Sequence, residues 1–101
     1  MKTSEKMVST LVELGVTKAF TLPGLGVTWS LPAFYEQRDK IDVVLTRSEQ
    51  VASIMAQVTG RLTGKPGVLL AQGPWAATTG SFGILEAYFA GSPMVTITDS
   101  S

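Results

Sequence analysis

Hydrophobic positions along this chain fall into two alternating spacings, one suited to helices and one to buried strands. Met7, Val8, Leu11, Val12 and Leu14 repeat at helical intervals, and Gly15 is a suitable stop. Ala19-Phe20-Thr21-Leu22 predicts a short strand, closed by Pro23-Gly24. A second helix is expected from near Ser30 through Tyr35, with Pro32 tolerable only in its first turn. Ile41-Asp42-Val43-Val44-Leu45 predicts the next strand. Val51, Ile54, Met55, Val58 and Leu62 then form the most regular helical stripe of the chain, which predicts a core-facing side carrying Met55. Thr63-Gly64-Lys65-Pro66-Gly67 breaks that helix. Val68-Leu69-Leu70-Ala71 has no polar alternation, as expected of a strand covered on both faces. Gly73-Pro74 turns the chain into a helix rich in small residues, running to Tyr88 or Phe89. Pro93 opens a last strand, Met94 to Thr98.

The predicted order is α-β-α-β-α-β-α-β. Short strands alternating with helices imply right-handed crossovers and a doubly wound parallel α/β sheet. Ligands of such sheets sit at the C-terminal ends of the strands. Those ends carry Pro23-Gly24, Arg47-Ser48-Glu49, Gly73-Pro74 and Asp99. The chain stops directly after a strand, with nothing left to cover that edge, so further protein is expected beyond Ser101.

Composition narrows the chemistry. A length of 101 residues allows one domain, and 45% hydrophobic residues support a core and argue against disorder. Eight basic and eight acidic residues give zero net charge and no basic stripe, so nucleic acid and anionic membranes are poor partners. Histidine and cysteine are both absent, which removes imidazole triads, thiol catalysis, disulfides and Cys/His zinc sites. No apolar run approaches the roughly 18 residues of a membrane span. Met1-Lys2-Thr3-Ser4-Glu5-Lys6 leads into an amphipathic segment and not a signal core, so a cytoplasmic protein is expected.

Two phosphate motifs fail on inspection. The stretch 60–65 has only three residues between Gly60 and Gly64, and Pro66 replaces the hydroxyl of a P-loop. Gly24-Leu25-Gly26 follows a strand, but Trp29 stands where a dinucleotide fingerprint needs its third glycine. Both stretches are read as turns. Glu49 has two readings. Thr46-Arg47-Ser48-Glu49 fits a capping box, in which Glu49 reaches back to the backbone of Thr46. It also fits a buried acid at the ligand edge of the sheet, poised for proton transfer. Arg47 reads as solvated or ion-paired, and the spacing assigns no role to Asp99 or Glu86. Trp29, Trp75 and the Phe82/Leu85/Phe89 stripe read as core or subunit interface.

An ordered set of short motifs adds to this. Leu14-Gly15-Val16, Leu22-Pro23-Gly24 and Arg47-Ser48-Glu49-Gln50 come first. Thr59-Gly60-Arg61, Thr63-Gly64-Lys65-Pro66-Gly67-Val68, Gly73-Pro74, Glu86-Ala87-Tyr88 and Ser92-Pro93-Met94-Val95 follow. Together, from about Val8 to Thr98, they resemble the start of thiamine-diphosphate enzymes of the acetolactate synthase type. The resemblance implies an incomplete N-terminal pyrimidine-binding domain, residues 1–101, with no second domain in this chain. It implies that Glu49 hydrogen-bonds N1′ of the aminopyrimidine ring, favouring the imino tautomer that takes the proton from thiazolium C2. The carbanion then attacks a 2-oxo acid. It further implies that Pro23, Gly24, Gly73, Pro74 and Thr78 line the pyrimidine pocket. Mg²⁺ and the diphosphate would be held by a separate domain on a partner subunit of a homodimer or tetramer, so no metal ligand is expected here. A flavin is left open.

Three departures stand out. Ser48 replaces the histidine usual before the glutamate, Trp75 the second glycine of a Gly-Pro-Gly turn, and Thr78 a common asparagine. Trp75 is expected to narrow the pocket or shift the substrate range, and Thr78 weakens the expectation that this loop keeps the usual contacts. Two functions fit: part of a thiamine-diphosphate-dependent 2-oxo acid decarboxylase or carboligase (a lyase or transferase), or a non-catalytic binding or dimerisation module that keeps the fold and uses Glu49 as a cap. By itself the 101-residue chain is not expected to turn over substrate.

Overall fold

The computed structural model describes residues 2–24 and 26–99. Met1, Leu25, Ser100 and Ser101 lie outside them, so the turn expected at Gly24-Leu25-Gly26 falls partly outside the described residues. The elements are α1 (Thr3–Glu13), β1 (Lys18–Thr21), a 3₁₀ turn (Thr28–Ser30), α2 (Leu31–Glu36), β2 (Asp42–Leu45), α3 (Glu49–Thr63), β3 (Gly67–Ala71), α4 (Gly73–Ala77), α5 (Ser81–Ala90) and β4 (Met94–Thr98). Every strand pairing is parallel, in the order β2-β1-β3-β4. The doubly wound α/β architecture expected from the alternation is therefore present.

Handedness explains the layering. From β1 the chain moves one way to β2, then returns across β1 to β3 and continues to β4. A right-handed crossover in each direction puts its helix on opposite faces. Val8 and Leu11 of α1 and Ala33 and Phe34 of α2 pack with Ala19, Val68 and Leu70 on one face. Ala52 and Ala56 of α3 and Ala76 of α4 pack with Phe20, Leu69 and Ala71 on the other. Alternate residues of β1 and β3 thus serve opposite layers, and β3 is buried throughout.

The face of α3 that meets the core is not the one its apolar stripe predicts. Its buried residues are Glu49, Ala52, Ser53, Ala56, Gln57 and Gly60. Val51, Met55, Val58 and Leu62 face outward instead, with Leu62 78% exposed. The reason is close approach. The Ala56 carbonyl occupies the space a Cβ on Gly67 would need, and the Pro93 carbonyl does the same at Gly60. Only a small-residue face allows such contact. Gly60 consequently lies within α3 and is not a turn, while Gly64 caps the helix at φ +73°.

Two further expectations are corrected. The single helix expected after Gly73 is two helices, broken where Thr78 leaves helical geometry. Phe82, Leu85 and Phe89 of α5 are exposed, as are Trp29 and Trp75, so none of them is core. Helix α5 docks instead through its small residues. Gly83 donates its N–H to the buried Ser53 hydroxyl at 3.0 Å.

Candidate functional site

Strand register brings the predicted site residues to one edge. Thr21 is level with Leu45 on one side and Leu70 on the other, and Leu70 is level with Ile97. All four strands therefore end together, and the turns that follow share one rim. The direction of winding reverses between β1 and β3, so the turns after those strands flank the switch point of the sheet. Pro23 and Gly24 leave β1 there, and Gly73 and Pro74 leave β3. Cross-strand hydrogen bonds hold the rim: Thr21 Oγ1 donates to the Leu70 carbonyl at 2.8 Å, and Thr46 Oγ1 to the Thr21 carbonyl at 3.2 Å.

After β1 the chain turns tightly, with the N–H groups of Val27 and Thr28 both bonded to the Gly24 carbonyl at 3.0 Å. Trp29 Nε1 donates to the Gly26 carbonyl at 2.7 Å, fixing a half-exposed indole beside the turn. After β3, Thr78 Oγ1 donates to the Pro74 carbonyl at 2.7 Å. The Thr78 hydroxyl is thus committed to its own helix.

Glu49 begins α3 and is buried, at 9% exposure. The capping box expected around it does not form. Ser48 is the N-cap: its backbone is extended (φ −160°, ψ 157°), and its Oγ accepts from Val51 N at 3.2 Å. That places Glu49 at the first helical position, too early in the helix to reach back. The Thr46 N–H it would have served is bonded to the Thr21 carbonyl at 2.8 Å. The carboxylate looks instead toward the α4–α5 junction, where Thr79 Oγ1 lies 3.5 Å from Oε1. The same hydroxyl is 3.2 Å from the Trp75 carbonyl and shares its proton between the two acceptors. Arg47 is exposed and makes no ion pair among the described residues.

Comparison with known proteins decides the family. The model of the thiamine pyrophosphate enzymes, N-terminal TPP binding domain, matches residues 1–101. The chain belongs to the thiamine pyrophosphate enzyme family. It is 39% identical over 94 residues to the acetolactate synthase of Bacillus subtilis (strain 168), covering 93% of this chain and 16% of that protein. It is 36% identical over 94 residues to the acetolactate synthase isozyme 3 large subunit of Escherichia coli (strain K12), again covering 93% and 16%. Acetolactate synthase 1, chloroplastic, of Nicotiana tabacum is 34% identical over 97 residues, with 96% and 14% covered. The chain therefore spans about one-sixth of the length of the curated relatives it matches.

Thr79, Gln72 and Asp99 join the rim without having been marked as site residues by the sequence. Thr79 had no signal beyond its place near the Gly73-Pro74 turn. Asp99 did have one, since it ends a strand at the ligand edge. Among the described residues no cluster of three or more His, Cys, Asp or Glu can hold a metal ion, and no helix is long and apolar enough to cross a membrane.

Proposed function

We propose that this chain is the cofactor-activating part of a thiamine-diphosphate-dependent enzyme that acts on 2-oxo acids, a decarboxylase or carboligase of the acetolactate synthase type. One observation carries the reading: Glu49 is a buried carboxylate at the ligand edge that the helix does not need, because Ser48 is the cap. A cap-only role would leave Glu49 reaching back to Thr46, whose N–H is already taken.

The residues fit the group. A buried acid with one long hydrogen bond has acceptor capacity to spare for a ring N–H. The turns at Pro23-Gly24 and Gly73-Pro74 flank the switch point where a planar ring would lie. Thiamine diphosphate, when bound, would supply a carbon nucleophile for the 2-oxo acid. Glu49 holds or moves a proton at N1′, and Thr79 steadies its carboxylate. Thr78, with its hydroxyl turned to Pro74, contributes through the shape of the α4 turn. Mg²⁺ and the diphosphate fall to a second domain, contributed by a partner subunit. The outward apolar side chains of α3 and α5 support assembly as a homodimer or tetramer, in a cytoplasmic enzyme.

The test is Glu49→Gln in the native, full-length protein. Glutamine keeps the shape but cannot exchange the proton, so hydrogen–deuterium exchange at cofactor C2 should fall by about 10²–10⁴-fold. At about 1.36 kcal/mol per decade, that is roughly 3–5 kcal/mol of barrier. Exchange within about threefold of wild type would remove Glu49 from the chemistry.

A further inference from the structure

Asp99 is the first residue beyond β4, and Thr98 is level with Ala71 of β3. That register sets the Asp99 carboxylate beside the turn that follows β3. The Gly73 N–H donates to Asp99 Oδ1 at 2.5 Å, a backbone donor bonded to a carboxylate. On its other side the carboxylate lies against Gly26, in the turn after β1. A Cβ at residue 26 would fall on the carboxylate itself and would make the Asp99 side chain shift. A second contact of the same sort lies alongside: the Gln72 side-chain oxygen is 2.8 Å from where a Cβ on Gly24 would stand. Gly26 and Gly24, after β1, are thus closely approached by Asp99 and Gln72.

These are the two turns that flank the switch point, yet Asp99 belongs to neither. It comes from the neighbouring strand and is outside both core clusters. The bond from Gly73 and the approach to Gly26 bear on the spacing of these two segments.

We infer that Asp99 is a positioning residue: its carboxylate clasps Gly73, at the start of α4, to Gly26, after β1, and so sets the spacing of the edge that receives the cofactor ring. This rests on the reading of the site given above. The clasp favours binding. It does not touch the reacting atoms, so its loss appears in cofactor affinity and leaves the rate of the bound cofactor nearly unchanged.

The test uses the full-length protein as Asp99→Ala, Asp99→Asn and Gly26→Ala, with thiamine diphosphate and Mg²⁺ as the probe. Three quantities are read: amide hydrogen exchange at Gly73 without cofactor, the Kd for thiamine diphosphate from tryptophan fluorescence, and C2 exchange at saturating cofactor. Asp99→Ala should speed Gly73 exchange and raise Kd, each by about tenfold or more, the effect expected for a lost bond to a charged acceptor. Asp99→Asn keeps the oxygen that accepts from Gly73 and should rescue affinity to within about threefold of wild type. Gly26→Ala drives a methyl into the carboxylate and should raise Kd as Asp99→Ala does, which keeps the test decisive if Asp99→Ala fails to fold. An unchanged Kd in Asp99→Ala and Gly26→Ala would overturn the clasp, as would a loss confined to C2 exchange at saturation. If wild-type protein binds no thiamine diphosphate, the proposed function fails and the cofactor role of Asp99 fails with it. A clasp error alone instead leaves wild-type binding intact and the Gly73 amide unprotected.

Discussion

Ser48 accepts the Val51 N–H at 3.2 Å, so Ser48→Ala strips α3 of its side-chain cap. The expected cost is about 0.5–2 kcal/mol of stability in urea denaturation. Glu49→Gln should cost less than about 1 kcal/mol in the same assay, because the residue makes no cap to lose. The two neighbours thus separate stability from chemistry. A reversed pattern, with the larger stability loss at Glu49, would make its carboxylate a structural group of the fold. Thr79 gives a finer test. Thr79→Val keeps the shape and removes the hydroxyl 3.5 Å from Glu49. A bond this long should be worth less than a typical charged one, so C2 exchange should fall by no more than about tenfold. The place of Glu49 at the ligand edge was legible in the sequence, as a carboxylate just past a strand. Which residue did the capping was not, because Thr46 and Ser48 are both good caps and only the backbone angles choose between them.

Helix α3 owes its placement to what its inner face lacks. Gly83 of α5 sits against Ser53, whose backbone occupies the space its Cβ would fill. Gly83→Ala should therefore push α5 off α3 at a cost of about 1–3 kcal/mol or more, seen as a lower Tm in calorimetry. Gly64 is a contrasting case, with φ +73° and no atom within 4 Å of the point where a Cβ would stand. Gly64→Ala should cost about 1–2 kcal/mol from backbone strain alone, with no change in α3–α5 packing. The sequence marked this segment correctly as a regular helix. It misassigned the buried side, since the apolar stripe gives a period but not the direction in which the helix turns it. The close contacts at Gly60, Gly67 and Gly83 select the small face.

At the scale of the molecule, α3 and α5 turn large apolar groups outward together. Tyr88 and Phe89 are 79% and 80% exposed, with Leu62 and Met55 on the neighbouring helix also uncovered. Such a concentration marks an interaction surface more often than a monomer's exterior. In the proposed assembly these groups are covered. Phe89→Glu combined with Leu62→Glu should shift sedimentation of the full-length protein toward monomer at micromolar concentration, without loss of helix in circular dichroism. Neither residue enters the core, so the fold should persist. An unchanged sedimentation profile would place the subunit interface elsewhere.

The sequence by itself determined the alternation of helices and strands, the parallel sheet and the turns at its ligand edge. These follow from hydrophobic period and from glycine and proline punctuation, which act over a few residues. Tertiary structure alone decided the strand order β2-β1-β3-β4, the small face on which α3 lies, and the pairing of Thr79 with Glu49 and of Asp99 with Gly73. Both side-chain pairings join residues 26 or more positions apart, where local pattern carries no distance. Glu49 reaches Thr79, and Asp99 reaches Gly73, only once the sheet has brought the ends of all four strands to one rim.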